Sequence, residues 1–365
     1  MKVLILTSSF GGGHNSVARA IKRALEENYS ASVRIEDPYH LMNPRLNQIN
    51  ARFYVYMMKY FPGVYGLFYN STYDLEKDSI LNFLLSLPGI DKLRELLEEE
   101  RPDAVVAVYP TYAGMLRILR ERGFSVPKSF VVITDFVAHV QWLHDGIDVY
   151  FVPSEEVKFH LHRKGVVCGW VQVTGIPINP EFEKFRERDR DTVLISAGMF
   201  GMTPSVMEIC KVVEEVVPRN LKITLLCGTD RRLYQKVKMR FRRVEAVEGV
   251  LTHEEMARYM GRSVLLISKA GGITTSEALS AETPLLVYRP LPGQEYYNAL
   301  YLLKNEAGMV AGNRRELGRV LRFFFEDSQF RESLRENIRR LRKPHSSLSV
   351  ARGIHDALQK EGLGL

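Results

Sequence analysis

Cysteine is scarce in this sequence. Cys168, Cys210 and Cys227 are the whole complement, and their spacing forms neither a CxxC pair nor a metal-ligand pattern. An odd, scattered set fits a reducing compartment, so a cytoplasmic location is expected. Long apolar runs are missing as well: nothing approaches the roughly 20 residues a bilayer-crossing helix needs. Short repeats and low-complexity tracts are absent. Acidic residues are the minority charge, with 43 Asp and Glu against 50 Lys and Arg, for a formal net charge of +7. That balance favours an anionic partner such as nucleic acid, a phosphorylated substrate or an acidic membrane face. With no basic helix or recognised binding motif beside the charge, nucleic acid is not expected.

What is present describes a folded protein of two domains. The chain has 365 residues, 45% hydrophobic and 25% charged, enough for two cores of ordinary size. Its opening, Met1-Lys2-Val3-Leu4-Ile5-Leu6-Thr7, reads as a first β-strand rather than a secretion signal. Short β-branched runs then alternate with helical patterns, the signature of parallel sheets covered on both faces. Strands are expected at 2–7, 104–108, 129–133, 149–152 and 171–174, and again at 192–196, 222–226, 264–268 and 285–288. The highly charged residues 182–191 read as a linker. The architecture expected is α/β: two Rossmann-like, doubly wound domains facing across a cleft, with ligands at the carboxyl ends of the strands.

Two glycine loops mark where those ligands would sit. The first strand ends in Ser8-Ser9-Phe10-Gly11-Gly12-Gly13-His14-Asn15, followed by Val17, Ala20, Ile21, Ala24 and Leu25 at helical spacing. Consecutive glycines let a ligand approach the backbone and expose the N–H groups of a helix N-terminus. Position 16 is serine, so the dinucleotide fingerprint G-x-G-x-x-G is not met, and no Gly-Lys-Ser/Thr makes a P-loop. At a helix N-terminus the dipole keeps His14 neutral and available as a base; a simple capping role fits the local sequence equally well. The second loop is Lys269-Ala270-Gly271-Gly272-Ile273-Thr274-Thr275-Ser276-Glu277, suited to a diphosphate. One turn into that helix, Glu277 could accept from ribose hydroxyls or merely favour its own helix dipole. Farther on, Pro290-Leu291-Pro292-Gly293-Gln294-Glu295-Tyr296-Tyr297-Asn298 offers Gln294, Glu295 and Asn298, groups of the kind that read sugar hydroxyls.

Taken in order, Gly11-Gly12-Gly13-His14, Val132-Ile133-Thr134-Asp135-Phe136, Thr174-Gly175-Ile176-Pro177, Ser196-Ala197-Gly198, Lys269-Ala270-Gly271-Gly272-Ile273-Thr274 and Pro292-Gly293-Gln294-Glu295 resemble the diacylglycerol glycosyltransferases. These are the plant monogalactosyldiacylglycerol synthases and the bacterial processive diacylglycerol glucosyltransferases of glycosyltransferase family 28. The resemblance implies the GT-B fold, with an acceptor domain over 1–180, a linker over 181–191, a UDP-sugar domain over 192–345 and a helix over 346–365 packing back towards the first domain. It implies a UDP-glucose or UDP-galactose donor, and diacylglycerol or glycosyl-diacylglycerol as acceptor. It places Gly12, Gly13 and His14 near the acceptor, Gly198, Met199 and Gly271 to Thr274 on the diphosphate, and Glu277 on the ribose. Val250 and Leu251 fall where relatives hold uracil, and Gln294 and Glu295 where they hold the donor sugar. The transferase that adds N-acetylglucosamine to the lipid-linked peptidoglycan precursor is more distant. Its longer first loop and its basic, glutamine-rich segment in place of 292–295 argue against that donor sugar and acceptor.

The implied chemistry is one inverting displacement. His14, or failing it Asp135, takes the acceptor proton, and the helix N-terminus at Gly271 to Thr274 stabilises departing UDP. Asp135 could instead orient His14, or simply end its strand. Asp189-Arg190-Asp191 matches an Asp-x-Asp metal motif in letters but sits in the charged stretch, so no metal cofactor is expected. Residues 52–73 hold nine Tyr and Phe residues, interleaved with Arg52 and Lys59. Phe53, Tyr56, Met57, Tyr60, Val64 and Phe68 fall at helical spacing, and Pro62-Gly63 must interrupt any helix. Such a segment suits the headgroup layer of an anionic membrane, with Tyr56, Tyr60 and Phe68 as contacts; the alternative is packing against the first domain. The expected protein is therefore peripheral on the inner face of the cell membrane. Its rivals are a UDP-sugar epimerase on the same fold and a non-catalytic nucleotide-sugar-binding membrane protein.

Overall fold

A computed structural model describes residues 1–8, 12–73, 75–77, 79–187, 189–198 and 206–362, apart from the side chains of 46, 50, 51, 54, 55, 58, 59 and 360–362. Gly11 and Met199 lie outside the described residues. The chain divides into two compact units, Met1–Asn179 with His345–Leu365, and Pro180–Pro344.

The first unit is a parallel six-stranded sheet of β1 (Lys2–Leu6), β2 (Ser32–Glu36), β3 (Ala104–Ala107), β4 (Lys128–Val132), β5 (Val149–Val152) and β6 (Trp170–Val173), in the order β2-β1-β3-β4-β5-β6. The inner strands are apolar without alternation because both faces are covered: β3 and β5 are buried at every position. The helix Ser346–Gly362 packs against the helix Gly12–Tyr29, where Tyr29 stacks on His355 with centroids 4.6 Å apart.

The second unit is another parallel sheet, of β7 (Thr192–Ser196), β8 (Lys222–Leu226), β9 (Val244–Val247), β10 (Ser263–Ser268), β11 (Leu285–Tyr288) and β12 (Gly308–Ala311), in the order β12-β11-β10-β7-β8-β9. The charged residues 182–191 belong to this unit. Phe182 is fully buried, and Arg190 donates to the carbonyls of Ser263 and Ala281 and to Thr283 Oγ1. Asp191 of the Asp-x-Asp triplet is paired with Lys222 at 2.7 Å and Arg262 at 3.3 Å.

Three strands, β2, β9 and β12, have no counterpart among the expected ones. All three lie at sheet edges. There, polar residues such as Arg34, Glu36 and Glu245 interrupt the run, or the strand shrinks to Gly-Met-Val-Ala. The charge is also arranged otherwise than expected. The helix Arg231–Arg240 carries Arg231, Arg232, Lys236, Lys238 and Arg240 and no acidic residue, so a basic helix does accompany the positive balance. Among the described residues, no helix is long and apolar enough to cross a membrane.

Candidate functional site

Each sheet has one place where successive connections leave in opposite directions, and the crevice there is where open α/β sheets bind ligands. In the first unit it lies between the carboxyl ends of β1 and β3, and His14 occupies it. His14 is the third residue of the helix Gly12–Tyr29, and its Nδ1 is 2.8 Å from the carbonyl oxygen of Val108, the residue after β3. A carbonyl can only accept, so Nδ1 carries the hydrogen and Nε2 of the neutral ring is bare. Thr134 Oγ1, from the end of β4, stands 3.4 Å from Nδ1, and the Tyr109 ring meets the imidazole edge-on at 5.2 Å. Burial pushes the His14 pKa down to about 4, with the Val108 bond acting in the opposite sense. Loss of solvation therefore favours the neutral ring. Asp135 follows Thr134 and is half-buried; the partner that orients His14 through Nδ1 is the Val108 carbonyl.

The aromatic segment forms two helices, Pro44–Tyr60 and Pro62–Tyr73, broken at Phe61 as the Pro-Gly pair requires. Its exposed side is rich in apolar groups: Phe53, Tyr56, Tyr60, Val64, Leu67 and Phe68 are between 46% and 74% exposed, with Arg52, Asn70 and Ser71 exposed among them. Packing is left to the other side. Tyr69 and Thr72 are buried, with Thr72 Oγ1 2.9 Å from His139 Nε2 and the Tyr69 ring 4.4 Å from that imidazole. Asp37, at the carboxyl end of β2, ties the same segment to the sheet: it accepts from Asn47 Nδ2 at 3.3 Å and from the Tyr112 hydroxyl at 2.9 Å. Farther along the chain the short helix Ile80–Leu85 exposes apolar side chains too, with Ile80 77% and Leu84 53% exposed. Periodicity in 52–73 does not reach that helix, although the run Ile80-Leu81-Asn82-Phe83-Leu84-Leu85 signals it.

In the second unit the reversal falls between β7 and β10. Gly198, just past β7, has φ +74°, and a Cβ there would touch Lys269 Cε at 3.6 Å. Past β10, Gly271 leads the helix Gly272–Ser280, which has no side-chain N-cap. Among the described residues the first-turn N–H groups of Gly272, Ile273 and Thr274 therefore meet no side-chain cap. Glu277, in the next turn, is half-buried, and its carboxylate has no hydrogen-bond or ion-pair partner among the described residues. Burial pushes its pKa up to about 8. A surface helix-end glutamate would show no such shift.

The loop at 290–298 looks inward more than expected. Glu295 is buried, its Oε1 3.4 Å from Lys269 Nζ and its Oε2 accepting from the Leu291 N–H at 3.3 Å. Asn298 is fully buried and donates to the Ala270 carbonyl at 2.9 Å. These two residues brace the glycine turn, whereas Gln294, at the start of the helix Gln294–Lys304, is half-buried. Lys269 is the residue that sequence reasoning left without a role, because only the fold shows it beside Gly198 in the crevice. Val250 and Leu251 follow β9, beside the bridge Gly228–Gly249, and Val250 is 62% exposed. No three or more His, Cys, Asp or Glu among the described residues form a group that could hold a metal ion.

Comparison with solved structures gives the class by fold. MurG of Acinetobacter baumannii superposes with a TM-score of 0.63 at 13% identity, covering 99% of both chains. The S. aureus MnaA–UDP complex gives 0.65 at 15% identity, covering 98% of this chain and 97% of that one. Such likenesses define a GT-B architecture of two Rossmann-like domains. At the level of sequence, the family model of monogalactosyldiacylglycerol synthase matches residues 14–178, and that of the glycosyltransferase family 28 C-terminal domain matches 202–347. The processive diacylglycerol beta-glucosyltransferase of Bacillus cytotoxicus is 30% identical over 96% of this chain and 92% of its own. That of Staphylococcus haemolyticus is 30% identical over 86% and 82%. The chain belongs to this family of diacylglycerol glycosyltransferases.

Proposed function

We propose that the protein transfers a hexose, glucose or galactose, from its UDP-sugar to diacylglycerol or glycosyl-diacylglycerol at the inner face of an anionic membrane, with inversion. Family membership over nearly the whole chain carries the reaction; the two crevices supply the roles. His14 Nε2 takes the proton of the acceptor hydroxyl as its oxygen bonds to the anomeric carbon. The bond from that carbon to the diphosphate breaks, and the electron pair leaves with UDP. Lys269 and the N–H groups of Gly272, Ile273 and Thr274 stabilise the charge on the leaving group. Gly198 admits the diphosphate to the crevice, with the adjoining Met199 outside the described residues. Glu277 accepts from the ribose, Val250 and Leu251 hold uracil through their backbone, and Gln294 faces the donor sugar. Glu295 and Asn298 keep the loop and the glycine turn in place.

Gly12 and Gly13 give the acceptor room beside His14. Tyr56, Tyr60 and Phe68, with Leu67 and Ile80, rest in the headgroup layer, where a ring's apolar body and polar tip are both satisfied. Incubation with diacylglycerol vesicles and each UDP-sugar in turn tests the proposal, with lipids analysed by mass. A gain of one or more hexoses on the lipid supports it. A changed UDP-sugar with unchanged lipid would point to an epimerase, and binding without either change to a non-catalytic protein.

A further inference from the structure

The two units divide the charge very unevenly. The first holds 21 Lys and Arg against 21 Asp and Glu, so its net charge is zero. The second holds 29 against 22 and carries the whole +7. Much of that excess lies in residues 231–243, with seven cations in thirteen positions and no acid.

The helix Arg231–Arg240 concentrates exposed cations on one element with no acid among them. Some helical cations of the protein pair with acids one turn away, as in Lys22–Glu26, Arg23–Glu27 and Arg258–Glu254, while Arg331, Arg335 and Arg339 of the helix Ser328–Leu341 repeat with like sign. In the helix Arg231–Arg240, Arg232, Lys236 and Arg240 repeat at the same spacing with like sign, which costs the isolated helix a few tenths of a kcal/mol per pair. Leu233 and Val237 are buried against the sheet, while Arg232, Lys236, Lys238 and Arg240 are exposed and have no acidic partner among the described residues. Nearby acids are otherwise engaged. Asp230 caps the helix by accepting from the Leu233 N–H at 2.9 Å, Glu214 accepts from the Arg242 and Arg243 N–H groups, and among the described residues Glu248 pairs with Arg231, at 3.8 Å. Among the cations Met239 is 79% exposed, a flexible apolar side chain that a headgroup layer can take up.

We infer that the outer face of the helix Arg231–Arg240, in the UDP-sugar unit, is an electrostatic docking surface for anionic lipid headgroups. The inference rests on the membrane reading proposed above and divides the work of attachment. The aromatic helices of the first unit supply apolar contact, which persists at high salt, and this helix adds charge. Clusters of four to eight Lys and Arg on an amphipathic helix are the pattern that anionic bilayers attract. No recognised nucleic-acid fold or base-reading motif accompanies the helix, which favours lipid over nucleic acid.

Flotation with the full-length protein tests this, using vesicles of phosphatidylcholine alone or mixed with phosphatidylglycerol, at low and high salt. The variant is Arg232→Gln with Lys236→Gln and Arg240→Gln, which keeps good helix formers on an exposed face. Parent protein should prefer the anionic vesicles and lose that preference at high salt. At low salt the variant's partition into anionic vesicles should fall on the order of a hundredfold, about fivefold per cation. Its binding to neutral vesicles and to UDP should match the parent's. A variant that floats on anionic vesicles like the parent overturns the inference. So does salt-sensitive binding of mixed-sequence DNA or RNA that the variant loses while its vesicle partition holds. A parent that floats on neither vesicle overturns the membrane reading itself. If the triple variant fails to bind UDP, the single Lys236→Gln is measured instead, with about a fivefold fall expected and no change contradicting the inference.

Discussion

Glu277 links ligand binding to pH in a way that can be worked out in advance. Burial pushes its carboxyl pKa in the free protein from 4.5 up to about 8, with no partner among the described residues to offset the loss of solvation. At pH 7 it is therefore mostly protonated. A ribose whose hydroxyls donate to this group favours the ionised form, so nucleoside binding near neutrality should release a proton. Linkage then requires affinity to rise with pH, by up to tenfold per unit, and to level off above about 8. Stability of the free protein should run the other way. A carboxyl pKa raised on folding costs up to about 1.4 kcal/mol per unit as pH climbs from 4.5 towards 8. Uridine is the probe because it carries no phosphate to titrate. Calorimetry in buffers of different ionisation enthalpy counts the released protons, and Kd at pH 6, 7 and 8 gives the slope. Glu277→Gln should flatten the slope, and Glu277→Ala should weaken UDP by about 1–3 kcal/mol, the range for a charge-assisted hydrogen bond. Uridine affinity that is flat from pH 6 to 8 in the parent, or equally steep in Glu277→Gln, would refute the reasoning.

Three further outcomes are expected. His14→Ala should lower turnover roughly a hundredfold or more while leaving UDP affinity near normal. In the parent, turnover should hold down to about pH 5 and fall as His14 protonates near 4; near-normal turnover in the variant reassigns the base, with Asp135 next in line. Lys269→Met should weaken UDP by about 1.5–3 kcal/mol and leave uridine unchanged. Because it strands the buried Glu295 it should also lower the melting temperature, which adding Glu295→Gln restores without restoring UDP affinity; equal losses for uridine and UDP would make Lys269 purely structural. Replacing Tyr56, Tyr60 and Phe68 with serine should weaken neutral-vesicle flotation and slow transfer to vesicle-bound diacylglycerol, yet spare a short-chain, water-dispersed acceptor. A folded triple variant that floats like the parent returns those rings to a packing role.

Much of this arrangement is legible in the residues, for identifiable reasons. A strand covered on both faces must be a short apolar run, so β1, β3, β4, β5, β7, β8, β10 and β11 stand out. The edge strands β2, β9 and β12 do not, since half-exposed or glycine-containing segments lose that signal; the edge strand β6 is legible nonetheless through the alternating Val171-Gln172-Val173. Glycine loops before helices are readable because only a few residue types allow close backbone approach. Side-chain partners are another matter. That Glu295 is spent on Lys269 and the Leu291 amide, and Asn298 on the Ala270 carbonyl, depends on loops far apart in the chain. The same holds for the Val108 carbonyl that fixes the His14 tautomer. The basic helix is written plainly in residues 231–243, but Leu233 and Val237 alone make a thin apolar stripe, too weak to mark a helix by periodicity.

The most direct test of the account is the product itself. Purified protein is mixed with vesicles containing diacylglycerol and phosphatidylglycerol, UDP-glucose or UDP-galactose is added, and the extracted lipids are weighed by mass spectrometry. Diacylglycerol should gain one or more hexoses with one of the two donors, in a β linkage from an α-linked donor, with one UDP released per hexose. Unmodified diacylglycerol with both donors, from a protein that binds UDP and floats with the vesicles, would contradict the proposed transfer.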